Sequence, residues 1–196
     1  MKTLNISTVL LLLGFVFALP LASEAQNRVV GKKVRKEPFS EAKYRSDKKF
    51  WRAVGNAQSI KLDVSKEKAL LIAKQRLAGF IQSQIKSVTD RYMNSMEAGG
   101  KEEINSSFEV LTREVINQTL ADIRVMGEEV RFIKKKKQFN AYVAIEVNKA
   151  EFLNSLENRI SQNDRIRLRF DKKKFEEIYY QEMNRFEAED TPSGNE

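Results

Sequence analysis

Any chemistry in this 196-residue chain has to be done without histidine or cysteine, because it contains neither. That removes the usual general base and the usual imidazole and thiolate metal ligands. It also rules out Ser-His-Asp triads, cysteine nucleophiles and disulfides. Carboxylates remain, and a pair of them flanking a cleft is what glycoside hydrolysis requires. The candidates are Glu102, Glu103, Glu128, Glu129, Asp164 and Asp171. None sits in a pocket-forming motif, and their Lys and Arg neighbours give the pattern of solvated helix faces. The expectation is therefore a protein that is not an enzyme, with no catalytic residue, cofactor or metal site.

The amines are the second chemical group, and they are unevenly spread. The formal net charge is +8. Residues 26–49 hold nine Lys/Arg against three Asp/Glu and contribute +6, while residues 50–196 contribute only +2. Within this arm Lys32, Lys33, Arg35 and Lys36 form a cluster that could touch lipid headgroups, lipopolysaccharide or nucleic acid. The plainer alternative, which the composition favours, is a solvated spacer. No aromatic residues are interleaved as single-stranded nucleic acid would demand, so nucleic acid is not an expected partner. A second cluster, Lys134, Lys135, Lys136 and Lys137, falls at a predicted hairpin turn. It is either a cationic fingertip for phosphate or carboxylate groups, or a solvated turn that discourages edge-to-edge pairing. Arg52 and Tyr142, with Asn140, complete the possible contact surface on one face of the predicted sheet.

The first 25 residues read as an address. Lys2 precedes an apolar run over residues 9–21, and Ser23-Glu24-Ala25 is a small-x-small tripeptide suited to signal peptidase. A run of about 13 residues broken by Pro20 falls short of the roughly 20 needed to span a bilayer. No later segment is apolar enough to do so, so no transmembrane span is expected after cleavage. A cysteine-free exported chain fits a bacterial periplasm better than a eukaryotic extracellular space. The sequons at Asn105 and Asn117 accordingly read as chance matches.

These residues must be positioned by elements that the periodicity predicts. Residues 26–49 show neither hydrophobic period and read as a linker or loosely held arm. A strand follows over residues 50–59, with Ala53, Gly55 and Ala57 on one face, small enough for a helix backbone to approach closely. A long helix with Ser65 as N-cap carries a stripe of Ala69, Ala73, Leu77, Ile81, Ile85, Val88 and Tyr92. Residues 96–105 read as a loop, and Ser106-x-x-Glu109 as the capping box of a second helix. A strand bulged near Gly127, the lysine turn and a half-buried strand over residues 139–147 form an antiparallel hairpin. Asn148 caps a third helix, and helical signals resume after Asn163, as one bent helix or two. The expected fold is α+β: a three-stranded antiparallel sheet with helices on one face, in one domain over residues 50–187, followed by a disordered acidic tail over residues 188–196.

The strand Arg52-Ala53-Val54-Gly55-Asn56-Ala57, followed by the helix Ala69-x-x-x-Ala73-x-x-x-Leu77, resembles the opening signature of the LPP-twenty family. The later hairpin and the ending Phe170-Asp171-x-x-x-Phe175 to Glu182-Met183 resemble it too. That family comprises Gram-negative surface and periplasmic lipoprotein-like domains, similar in fold to the amino-terminal domain of flagellar assembly protein T. The resemblance implies an envelope protein with a structural, adhesive or assembly role and brings no catalytic residues. Lipoprotein members present a cysteine at the mature amino terminus, where this chain has Ala25-Gln26. The expected function is non-enzymatic binding in envelope assembly or scaffolding, in the periplasm or peripherally at the outer membrane, with an envelope protein or an anionic envelope surface as partner. The alternatives are a charge-driven polyanion binder acting through the arm and, more remotely, a carboxylate-dependent hydrolase.

Overall fold

The computed structural model describes residues 36–96 and 101–190. The chain divides into two units, Met1–Arg35 and Lys36–Glu196, and every described residue belongs to the second. The signal peptide, Lys32, Lys33 and Arg35 lie outside the described residues.

A three-stranded antiparallel sheet and four helices make an α+β fold. β1 (Phe50–Ser59) leads into α1 (Leu62–Asn94), then α2 (Lys101–Ala121), the hairpin β2 (Arg124–Ile133) and β3 (Gln138–Asn148), and finally α3 (Lys149–Ser161) and α4 (Lys172–Asp190). The sheet order is β1-β3-β2, so the last strand in sequence is central. Its partners are set by the register Gly55↔Val143 on one side and Gly127↔Ala144 on the other. The hairpin register shifts between Val125 and Gly127, where the bulge was expected.

On one face of the sheet, Trp51, Ala53, Gly55 and Ala57 meet α1. A Cβ on Gly55 would lie 2.1 Å from the Ala69 carbonyl oxygen and 2.4 Å from the Ala73 nitrogen, so the helix backbone rests on the strand itself. Ala69, Ala73, Leu77, Ile81, Ile85 and Val88 are fully buried along this side of α1. Trp51 closes the layer, its ring edge-on to Phe152 at 5.3 Å and its indole N–H donating to Gln84 Oε1 at 2.7 Å. Farther along α1, beyond the sheet, Tyr92, Phe108, Phe170 and Phe175 form an aromatic cluster with centroids 5.3 to 6.0 Å apart. The Phe175, Tyr179 and Met183 stripe of α4 is thus core.

The opposite face departs from expectation. Residues 36–49, read as a loosely held arm, cross it as a strap. Pro38 is buried, and the Phe39 ring sits over Gly127, its nearest carbon 2.8 Å from where a Cβ would stand. Phe39 takes a left-handed φ of 60° to do so and packs edge-on against Tyr44 at 4.7 Å. A 3-10 turn (Ala42–Tyr44) leads to Ser46 and Asp47 beside β1. The strap and the long Arg52 and Arg131 side chains cover the polar side of β3, so every residue over 140–147 is buried, not half of them.

The strap also blocks the free edge of β1. The Ser46 hydroxyl accepts from Arg52 N–H at 3.0 Å and donates to the Arg52 carbonyl at 3.4 Å, while Arg76 donates to the Val54 carbonyl at 2.6 Å. Ladder groups that could otherwise recruit another strand are thereby occupied.

Three helix boundaries also moved. α1 starts at Leu62, with Lys61 as N-cap and no side-chain cap. Ser65 is already inside, donating to the Leu62 carbonyl at 2.6 Å. α2 starts at Lys101, ahead of the expected capping box, because Ile104 is buried and extends its stripe by a turn. After α3, residues 162–171 form a non-helical turn region that inserts Ile166 into the core. Asp171 then caps α4, accepting from Lys174 N–H at 3.0 Å, so the helical signals after Asn163 resolve into a turn followed by one helix. α4 continues through Asp190, so residues 188–190 of the expected tail are helical. The Asn148 cap of α3 is as expected, its side chain accepting from Ala150 and Glu151 N–H at 2.9 and 3.2 Å.

Candidate functional site

The six carboxylates capable in principle of hydrolytic chemistry are dispersed. Glu102 and Glu103 are exposed on the first turn of α2. Glu128 pairs with Lys66 at 2.6 Å, Glu129 with Arg131 at 2.7 Å and Asp164 with Arg167 at 3.1 Å, while Asp171 caps α4. No two of them face each other in these pairings, and each paired carboxylate has a structural partner.

The buried carboxylates are others, and they tie elements together. Glu146 on β3 takes Arg52 at 3.0 Å and Arg124 at 3.2 Å. Glu182 on α4 is fully buried and receives Ser87 at 2.9 Å, Arg185 at 2.8 Å and Arg91, fastening α4 to α1. Glu157 on α3 pairs with Lys172 at 3.2 Å, and its Oε1 has no hydrogen-bond partner among the described residues. Burial raises the Glu157 pKa above the ordinary carboxylate value, opposed by Lys172. Sequence reasoning passed over Glu157 and Glu182, although both lie on apolar helical stripes. Glu182 is seven residues after Phe175, and Glu157 four after Leu153.

Arg52 and Tyr142, expected at a contact surface, are not available for one. The Arg52 side chain is 10% exposed and held by Asp47 at 2.6 Å, by Glu146 and by the Arg45 carbonyl at 2.8 Å. Burial opposes the charge on Asp47. The Arg52 guanidinium and the Lys49 and Phe50 amides outweigh it and leave the Asp47 pKa lowered. Tyr142 is buried, its hydroxyl accepting from Asn140 at 2.8 Å and its ring lying under Arg131. The period-two pattern put these side chains on the solvent face. The strap, invisible to that pattern, covers it. Lys36 pairs with Glu41 at 2.9 Å, both well exposed.

Lys134, Lys135, Lys136 and Lys137 are where the sequence placed them, exposed in the β2–β3 turn, with Lys137 at a left-handed φ of 49°. The register sets their surroundings. Ser59, Phe139 and Phe132 stand in one row across the three strands, so the β1–α1 junction lies at the same end of the sheet as the lysine turn. That end exposes apolar side chains missed in the sequence: Ile60 at 69%, Phe132 at 53% and Leu62 at 37%. The Phe132 and Phe139 rings pack at 5.1 Å. Lys61, between Ile60 and Leu62, is also exposed. The available signal was that Ile60 and Phe132 sit at strand ends, where alternation runs past the helix that would cover it.

The opposite end of the sheet carries a cleft of about 380 Å³ whose lining includes Asp122, Arg124, Glu146, Glu151 and Ser155. Its polar groups are partly engaged: Arg124 holds Glu146, and Ser155 donates to the Glu151 carbonyl at 2.9 Å. Among the described residues there is no cluster of metal-ligating side chains, and no helix is long and apolar enough to cross a membrane. No protein-family model, curated protein or solved structure matches the chain.

Proposed function

We propose that this chain is a non-enzymatic, exported cell-envelope protein, LPP-twenty-like in type, that acts by binding in envelope assembly or scaffolding. The observation supporting this reading is the division of its charged side chains. The buried carboxylates Glu146, Glu157 and Glu182 are ion-paired across elements and hold the fold. The exposed lysines at 61 and 134–137 have no ion pair among the described residues and lie beside exposed apolar side chains, which is the composition of a contact surface. Export is the role of the first 25 residues. The family likeness supplies the assembly role.

Fractionation of cells producing tagged full-length chain tests the reading. The expected result is a processed protein in the periplasm, or on outer membranes from which high salt releases it. Unprocessed protein retained in the cytoplasm would overturn it.

A further inference from the structure

The end of the sheet described above combines two properties that a soluble protein seldom places together. Across this end run Ile60 and Leu62 of the β1–α1 junction with Phe139 and Phe132 of the hairpin strands, two of them more than half exposed. Around them stand Lys61 and the four lysines of the turn. Asp63 is the one carboxylate in the exposed junction, since Glu128 and Glu129 are paired with Lys66 and Arg131. Glu67 and Lys68, a turn farther up α1, offset each other in charge.

We propose that this end of the sheet docks on an anionic phospholipid surface, with Phe132, Ile60 and Leu62 entering the headgroup boundary and the lysines resting on the phosphates. The proposal rests on the reading of this end as the contact surface and names its partner. Charge complementarity selects an anionic occupant. The apolar side chains then select among anionic occupants. A bilayer interface accepts aliphatic and aromatic groups a few ångströms below the headgroups, whereas the aliphatic Ile60 and Leu62 gain nothing from a nucleic-acid backbone. The turn also sets four exposed lysines at the same end of the sheet as these apolar side chains.

Co-sedimentation of the exported chain with vesicles provides the test, using phosphatidylcholine alone and phosphatidylcholine mixed with phosphatidylglycerol, at low and high salt. Wild type is expected to pellet only with the anionic vesicles and to be released by high salt. Replacing all four turn lysines by glutamine should weaken partitioning on the order of 1,000-fold. Phe132→Ser combined with Ile60→Ser should weaken it roughly tenfold or more. These positions are exposed, and unchanged thermal unfolding would show that the variants keep their fold. Phe132→Trp supplies a reading independent of pelleting. Its emission should shift to the blue with anionic vesicles, while wild type, whose single tryptophan Trp51 is fully buried, stays constant.

Wild-type binding by the glutamine variant, equal binding to pure phosphatidylcholine, or an unshifted Phe132→Trp spectrum would each overturn the proposal. Loss of binding on deleting residues 26–35, with the turn variants intact, would move the affinity to the arm. That result would overturn the docking surface while leaving the exported binding protein standing. Failure of processing in cells would do the reverse.

Discussion

Gly55 and Gly127 lie in the two outer strands of one sheet, and each stands where a side chain would collide, but they make room for different things. Gly55 faces α1, where the colliding atoms are backbone: the carbonyl of Ala69 and the amide nitrogen of Ala73. Gly127 faces the strap, where the three atoms nearest a Cβ belong to the Phe39 ring. Backbone held in a helix that is itself packed over its length cannot move locally, whereas a ring at the end of a side chain can. The helix face of the sheet is therefore a rigid contact between regular elements. The strap face is an adjustable one, assembled from a ring, two ion pairs and a hydroxyl.

Gly55→Ala breaks the comparison most severely. It should cost on the order of 3 kcal/mol or more, because α1 must lift off the sheet. Chemical denaturation would measure this, and a loss under about 1 kcal/mol would show that the helix can slide. Next in size is Arg52→Ala on the strap face, which leaves Glu146 with only the largely exposed Arg124. The expected loss is about 3 kcal/mol. Replacing Arg52 and Glu146 together by apolar residues should recover much of it.

Gly127→Ala should cost only about 1 kcal/mol, and Phe39→Ala in the same chain should cancel most of that penalty. This coupling sharpens the contrast, since no single side-chain truncation on α1 can relieve a clash with its backbone at Gly55. The smallest effect belongs to Asp47→Asn, at a few tenths of a kcal/mol, because the Asp47 side chain is 47% exposed and its pair is screened. Here the sign with pH is informative. The pKa of Asp47 is lowered in the folded chain from an ordinary value of 3.8, so its contribution is present above that value and lost as pH falls through the lower folded pKa. The stability gap between wild type and Asp47→Asn should close as acid is added. A gap that widened would show that burial, not pairing, dominates.

The elements were legible where one period ran unbroken. Ala53, Gly55 and Ala57 announced the close approach of a helix, and the Ala69 to Val88 stripe announced which helix. The β2–β3 hairpin, its bulge and the Asn148 cap were legible for the same reason, since each is a signal between residues near in sequence. The start of α2 was misplaced because Ser106-x-x-Glu109 imitates a cap inside a helix that Ile104 extends. At this end of the sheet the turn position of the lysines was legible, but the exposure of Ile60, Leu62 and Phe132 was not. Their exposure depends on where α1 begins and on which strands lie side by side.

The α+β class, the order of elements, the hairpin and the lysine turn follow from side-chain period and local turn chemistry, which act over a few residues. The tertiary structure alone decided that both faces of β3 are covered, that Arg52 and Tyr142 are withdrawn from solvent, and that apolar strand ends gather beside the lysines. A period states which residues share a face. Whether that face meets water depends on what packs across it, and here the covering strap has no period of its own.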